Sequence, residues 1–219
     1  MVSFDNPRFF IQVSTTSPIQ RRQRKTRFFQ KRGITEAMDG IGKDFLLFFY
    51  DEMRYGLISN YRRSWSPVGV RTIIDNQQQF KNGYLFSAVN PINGDSFHLI
   101  GFEENTSRNV SLFFDYLEKE YHNNEIVVVF DNAPSHLPKI VREREHITCI
   151  SLPPYSPELN PAERFFGEVR KSTANRLFAT IEEQEEVIGN FVKTFSEDTE
   201  KMKRLLGYDW IRKQMEWVS

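Results

Sequence analysis

From residue 45 onward the hydrophobic pattern is sharp, and it changes period part-way along the chain. Phe45-Leu-Leu-Phe-Phe-Tyr50 is continuously apolar, as expected for a strand covered on both faces, and it stops at Asp51-Glu52. Tyr55–Tyr61 reads as a return strand, Lys81-Asn82-Gly83 as a turn, and Tyr84–Val89 as a third strand. Pro91-Ile-Asn-Gly94 is a hairpin signal, so Ser96–Gly101 should pair back. Helical spacing then takes over: Val110, Phe113, Phe114 and Leu117 form one apolar stripe behind a Thr106 or Ser107 cap. Ile126–Phe130 reads as a strand, Leu137–Glu145 as a short helix, and Ile147–Leu152 as another strand.

Past a proline-rich turn, Asn160-Pro161 opens a helix expected to run to about Leu177. Residues 181–206 predict one amphipathic helix, and Trp210, Ile211, Met215 and Trp217 mark a last helical piece. Residues 1–43 carry no sustained period and suggest an irregular arm with one short helix near Ile34–Met38. Antiparallel strands followed by helix–strand alternation predict an α/β fold: a mixed sheet, antiparallel first and then parallel, flanked by helices. The expected organisation is a basic arm (1–43), a catalytic domain (44–180) and a helical extension packing on it (181–219).

Three carboxylates stand out against that frame. Asp51 and Asp131 each follow an apolar strand, and ligands of such sheets bind beyond strand carboxyl ends. Glu163 falls on the first turn of the helix opened by Asn160-Pro161. Singly, each has a bland account: Asp begins turns, and Asn160-Pro-Ala-Glu163 fits a capping box. Three acids converging at one sheet edge would repel one another without a cation, and hard cations such as Mg²⁺ take oxygen ligands. Two such ions about 3.5–4 Å apart serve the attacking and leaving oxygens of a phosphoryl transfer. Glu52 is the rival of Asp51, but neighbouring strand residues face opposite ways, so only one can serve. Glu158 and Glu168 are the rivals of Glu163.

Composition narrows the classes. With 219 residues, 39% hydrophobic and 26% charged, the chain can bury a sizeable core, and its 20 Phe predict one filled with rings. A single Cys (Cys149) excludes an intrachain disulfide and suits a reducing compartment. No apolar run spans a bilayer and no signal-peptide pattern opens the chain, so a cytoplasmic protein is expected. Net charge is zero, yet Arg21-Arg-Gln-Arg-Lys-Thr-Arg27 with Lys31 and Arg32 is a basic block that either tracks phosphates or forms a solvated tail. Tyr155 and Ser156 would suit a covalent recombinase, but no Gly-x-Ser-x-Gly elbow surrounds the serine and the turn reading is the better one.

Phe-Phe-Tyr-Asp51-Glu-Met-Arg-Tyr-Gly-Leu, Val-Val-Val-Phe-Asp131-Asn-Ala-Pro-Ser-His136 and Leu-Pro-Pro-Tyr-Ser-Pro-Glu-Leu-Asn-Pro-Ala-Glu163-Arg-Phe-Phe resemble the catalytic core of DDE transposases, particularly the bacterial insertion-sequence branch of the mariner-like superfamily. The resemblance spans roughly residues 44–177, although the interval between Asp131 and Glu163 is a few residues shorter than is usual there. It implies an RNase H-like fold in which Asp51, Asp131 and Glu163 hold two Mg²⁺ or Mn²⁺ ions. The implied activity is cleavage at transposon ends, then attack of the freed 3′-hydroxyl on target DNA. Arg62-Arg63-Ser-Trp65 also resembles a family pattern and would lie near DNA, with a plain surface Arg pair as the alternative. Beside the resemblance, His136, Arg164, Arg170 and Lys171 are candidate DNA contacts that otherwise read as a helix's first turn (His136) or the wet face of a helix. The partners expected are transposon-end and target DNA, a second copy of the chain on that DNA, and a helix-turn-helix domain or upstream reading frame. The setting would be the nucleoid of a prokaryotic cytoplasm. Two other readings share the same residues: a different RNase H-like nuclease, such as a resolvase or hybrid nuclease, or an inactive or repurposed transposase remnant.

Overall fold

A computed structural model of the chain describes residues 18–38, 45–131 (except 64, 70–72 and 74), 140 and 144–218. Its centre is a five-stranded mixed sheet in the order β3-β2-β1-β4-β5. The strands are β1 (Phe45–Ile58), β2 (Gln78–Val89), β3 (Ser96–Phe102), β4 (Glu125–Phe130) and β5 (Ile147–Ser151). β1–β2 and β2–β3 are antiparallel, whereas β4 runs parallel to β1 and β5 parallel to β4. The mixed sheet with flanking helices is the one that the change of period predicts, and its order and strand directions are those of the RNase H-like fold that the resemblance implies.

Period-2 alternation sends successive residues of β1 to opposite faces. Phe48 and Tyr50 join Phe86, Val128 and Phe130 beneath α3 (Ser107–Glu120), whose Val110, Phe113, Phe114 and Leu117 are buried. Leu47, Phe49 and Met53 face the other way, under α4 (Ala162–Ser172), α5 (Ile181–Ser196), α6 (Thr199–Leu206) and α7 (Asp209–Val218). Rings dominate both layers: Tyr50 lies 5.0 Å from both Phe113 and Phe114, and Phe165 lies 6.0 Å from Phe195.

Four local expectations are corrected. β1 does not stop at Asp51; it continues to Ile58 because β2 pairs with it from Phe49 to Ile58. Lys81-Asn-Gly83 is strand rather than turn, and Gly83 is needed there because a Cβ would meet the Tyr55 ring lying across it. The helix from Asn160 ends at Ser172, not Leu177. The chain then turns through Asn175 (φ 57°), whose side chain takes the Arg62 peptide N–H at 2.9 Å and gives to the Arg62 carbonyl at 3.0 Å. Residues 181–206 form two helices, since the Asp198 carboxylate accepts from Lys201 N at 2.9 Å and starts α6 afresh.

Most of residues 18–38, expected to be irregular apart from one short helix, is helical: α1 (Pro18–Phe28), a π-turn (Phe29–Gly33) and α2 (Ile34–Ala37). α1 is built from Arg, Lys and Gln, which form helices well yet leave no apolar stripe to read. The buried Gln214 on α7 takes the N–H of Ile34 at 2.8 Å and donates to the carbonyl of Phe29 at 2.9 Å, serving main-chain groups around the π-turn. The predicted helix at Leu137–Glu145 falls largely outside the described residues. No helix among the described residues is long and apolar enough to cross a membrane.

Candidate active site

The last parallel pairs of β1 with β4 are Phe49↔Val129 and Tyr50↔Phe130, so the next step of the register sets Asp51 beside Asp131. The two acids reach that position differently. Asp131 directly follows the last residue of β4, where Phe130 O accepts from Leu152 N at 2.8 Å. Asp51 sits inside β1, opposite Ser87 of β2, at the point where its other neighbour ends. It lies between Phe49 and Met53 on the α4 side, while Glu52 turns to the α3 side and accepts from the Tyr50 hydroxyl at 2.9 Å.

The third carboxylate depends on a residue read from sequence only as a cap. Asn160 is buried between α4 and β1. Its Oδ1 accepts from Ala162 N at 3.1 Å, in the manner of a helix cap, and its Nδ2 donates to Tyr50 O at 3.1 Å and to Asp51 Oδ2 at 3.4 Å. One side chain therefore fastens the start of α4 to the strand that carries Asp51. Glu163, on the first turn of α4, does not close a capping box; its carboxylate lies 3.6 Å from Arg170 Nη1, two turns on. As the side chains stand, no three acidic, His or Cys groups among the described residues are gathered to hold a metal ion.

The electrostatics of the cluster are nevertheless strained. Burial, then the Glu52 charge, pushes the Asp51 carboxyl up to about 8; the charges of Glu163 and Asp131 add to this, and the Glu52 peptide N–H opposes it. Glu52 is raised to about 7, chiefly by burial with Asp131 adding, against hydrogen bonds from Tyr50 and Asn105. Two acids raised by burial and by neighbouring carboxylate charges at a half-buried sheet edge are in the environment that a hard divalent cation relieves, and carboxylate oxygens are the donors it prefers.

The described residues among the expected DNA contacts divide into three groups. Arg62, Arg63 and Trp65 are exposed on the β1–β2 connection, Trp65 completely so. Arg170 is held by Glu163, and Lys171 pairs with Glu168 along the same helix. Arg164 is engaged elsewhere: its guanidinium donates to Leu205 O at 3.1 Å and lies 3.7 Å from the Tyr208 ring centroid, tying α4 to the α6–α7 corner. His136 lies outside the described residues. Ser156 is buried, 3.2 Å from Thr26 Oγ1, so it holds α1 on the proline turn.

The same fold recurs in solved transposase assemblies. The Mos1 strand transfer complex matches with a TM-score of 0.63 at 17% identity, covering 90% of this chain and 58% of that one. The mariner Mos1 paired-end complex with Mn gives 0.61 at 15% identity, with 100% and 65% covered. The corresponding complex with Mg gives 0.59 at 14%, with 99% and 66% covered. The chain thus spans less than two thirds of these relatives. Comparison with curated proteins finds no match. A family model, the DDE superfamily endonuclease, matches residues 46–185, a stretch that takes in Asp51, Asp131 and Glu163 and well over half of the chain. The chain belongs to the DDE superfamily of endonucleases.

Proposed function

We infer that this chain is the catalytic core of a DNA transposase of the mariner-like group, in its bacterial insertion-sequence branch. Water would attack a phosphodiester at the transposon end and the P–O3′ bond would break; the freed 3′-hydroxyl would then attack a target phosphodiester, forming a new P–O3′ bond as the target's own P–O3′ bond breaks and releases a target 3′-hydroxyl. The observation that supports this most is the meeting of Asp51 and Asp131 at one step of the β1–β4 register, with Asn160 fastening the helix of Glu163 to the same strand. These three carboxylates would hold two Mg²⁺ or Mn²⁺ ions. Bound there, the ions would supply charge neutralisation at the attacking and leaving oxygens.

The protein's own contribution is placement. β1, paired with β4 up to Tyr50 and with β2 from Phe49 onward, holds Asp51 rigidly, and Asn160 keeps α4 from sliding along it. Glu163 must release Arg170 to join the other acids, which leaves that guanidinium available to a DNA phosphate. Arg62, Arg63, Trp65 and Lys171 are further DNA contacts on this reading, whereas Arg164 positions α4. The partners are transposon-end and target DNA, a second copy of the chain on that DNA, and a helix-turn-helix domain; the setting is the prokaryotic nucleoid.

The Glu163–Arg170 pair also favours a second reading, a DNA-binding remnant whose acids no longer share an ion. Nicking of supercoiled DNA in Mg²⁺ or Mn²⁺, abolished by EDTA and by Asp131→Asn with an unchanged melting temperature, is the expected result. Nicking retained by Asp131→Asn would sink the catalytic assignment. No nicking by the wild type, together with no Mn²⁺ binding detected by electron paramagnetic resonance, would select the remnant.

A further inference from the structure

The basic block of α1 lies against the catalytic sheet and forms one wall of a groove. Arg21, Arg24, Lys25 and Phe28 recur at helical spacing on one face of α1, and they face Ser151–Pro154 across a groove of about 590 Å³. The other side of α1 docks it: Arg22 lies 3.3 Å from Glu158 and Thr26 lies 3.2 Å from Ser156, both in the turn that leads to Glu163. Arg24 and Lys25 are exposed, and neither has an acidic partner among the described residues. Phe28 is 54% exposed, an apolar ring left uncovered beside these cations.

The groove opens next to the acids. Ser151 on its far wall is the register partner of Phe130, about one strand spacing (roughly 4.8 Å) away, and Asp131 follows Phe130 directly, so the groove opens beside the strand end that carries the second carboxylate. Its chemistry is a cationic rim over an apolar floor of Phe28, Leu152, Pro153 and Pro154. Phosphates suit the rim. The faces of unpaired bases suit the floor, because a ring offers stacking to any base, whereas a duplex keeps its base faces covered.

We propose that this groove holds an unpaired stretch of the DNA strand leading away from the carboxylates, with phosphates on Arg24, Lys25 and Arg21 and a base against Phe28. The inference rests on the catalytic reading, since it takes the strand at the acids as its source. It makes α1 part of the substrate-binding surface and gives the groove a preference for single-stranded over duplex DNA.

Anisotropy of a fluorophore-labelled oligodeoxythymidine, titrated with the full chain across a salt series, tests this. Arg24→Ala with Lys25→Ala should lower the salt slope by about 1 to 1.5, the loss of two single-strand phosphate contacts. Phe28→Ala should weaken binding roughly tenfold at one salt concentration without changing the slope, and a duplex of equal length should be insensitive to it. Melting temperatures near wild type would exclude unfolding as the cause. A wild-type slope in the double variant, or equal losses on duplex and single strand in Phe28→Ala, would overturn the proposal and leave the groove to a protein segment. Metal-dependent nicking by the wild type would in that case leave the catalytic reading standing. Groove binding without any nicking would remove the catalytic reading alone.

Discussion

Asn160 donates its side-chain amide to the main-chain carbonyl of Tyr50 at 3.1 Å, one residue before Asp51 and far away in sequence. This bond couples the helix start that carries Glu163 to the strand that carries Asp51. Asn160→Ala removes it together with the Ala162 cap, from a buried position, and should cost about 1–3 kcal/mol of stability in urea unfolding. Asn160→Asp would place a further carboxylate beside Asp51 and should cost more at pH 8 than at pH 5. A variant as stable as wild type would show that α4 is held by its apolar face alone.

Asp51 is a half-buried acid raised to about 8 by burial and by its acidic neighbours. Removing its charge should therefore help the metal-free protein. Asp51→Asn is expected to melt higher than wild type in EDTA at pH 8, and to lack the increase in melting temperature that Mg²⁺ is expected to give the wild type. An Asp51→Asn protein that melts lower in EDTA and still gains from Mg²⁺ would contradict both the crowding and the ligand role.

Glu163 makes the opposite prediction. Its pair with Arg170 is on the surface, 3.6 Å long, and both partners are more than a third exposed. Such pairs contribute about 0–1 kcal/mol. Glu163→Gln should leave unfolding within about 1 kcal/mol of wild type while abolishing DNA nicking. Loss of stability without loss of nicking would reverse the roles given to these two residues.

His98 on β3 lies face to face with Phe165 at 4.7 Å, with Nδ1 2.9 Å from Ser87 Oγ and Nε2 3.2 Å from Ser196 Oγ. Burial lowers its imidazole from 6.5 to about 3. Between those values the unfolded chain binds a proton that the native protein does not, so stability falls as pH drops through 6.5 towards 3 and is level above 6.5 for this group. His98→Gln should be less stable than wild type at pH 8 but should lose less on going to pH 4. Parallel pH profiles in chemical denaturation would refute it.

The acidic residues of the site were visible as ends and starts of local pattern, but their connection was not. Asp131 behaves as its apolar run suggests, whereas Asp51 reads locally as a strand end and is an interior strand residue, because the length of β1 is set by β2 and not by its own composition. Asn160 was legible as a cap; its second bond, to Tyr50, joins segments that only folding brings together. Arg164 was read as a phosphate contact because nothing local reveals Leu205 O and the Tyr208 ring. α1 leaves no period in the sequence because its docking uses Thr26 and Arg22, not an apolar stripe.

By itself the sequence determined the elements whose burial is written in local period: the strand runs at Phe45 and Ile126, the α3 stripe, the proline turn, and with them an α/β sheet edged by acids. Tertiary structure alone decided the parallel register that brings Asp51 next to Asp131, the side chain that fastens α4 to β1, and the cationic groove beside them. The physical reason is range. Alternation and helical spacing follow from backbone geometry within a few residues, whereas register, ion pairing and a shared electrostatic field depend on groups brought together only when both faces of the sheet are covered.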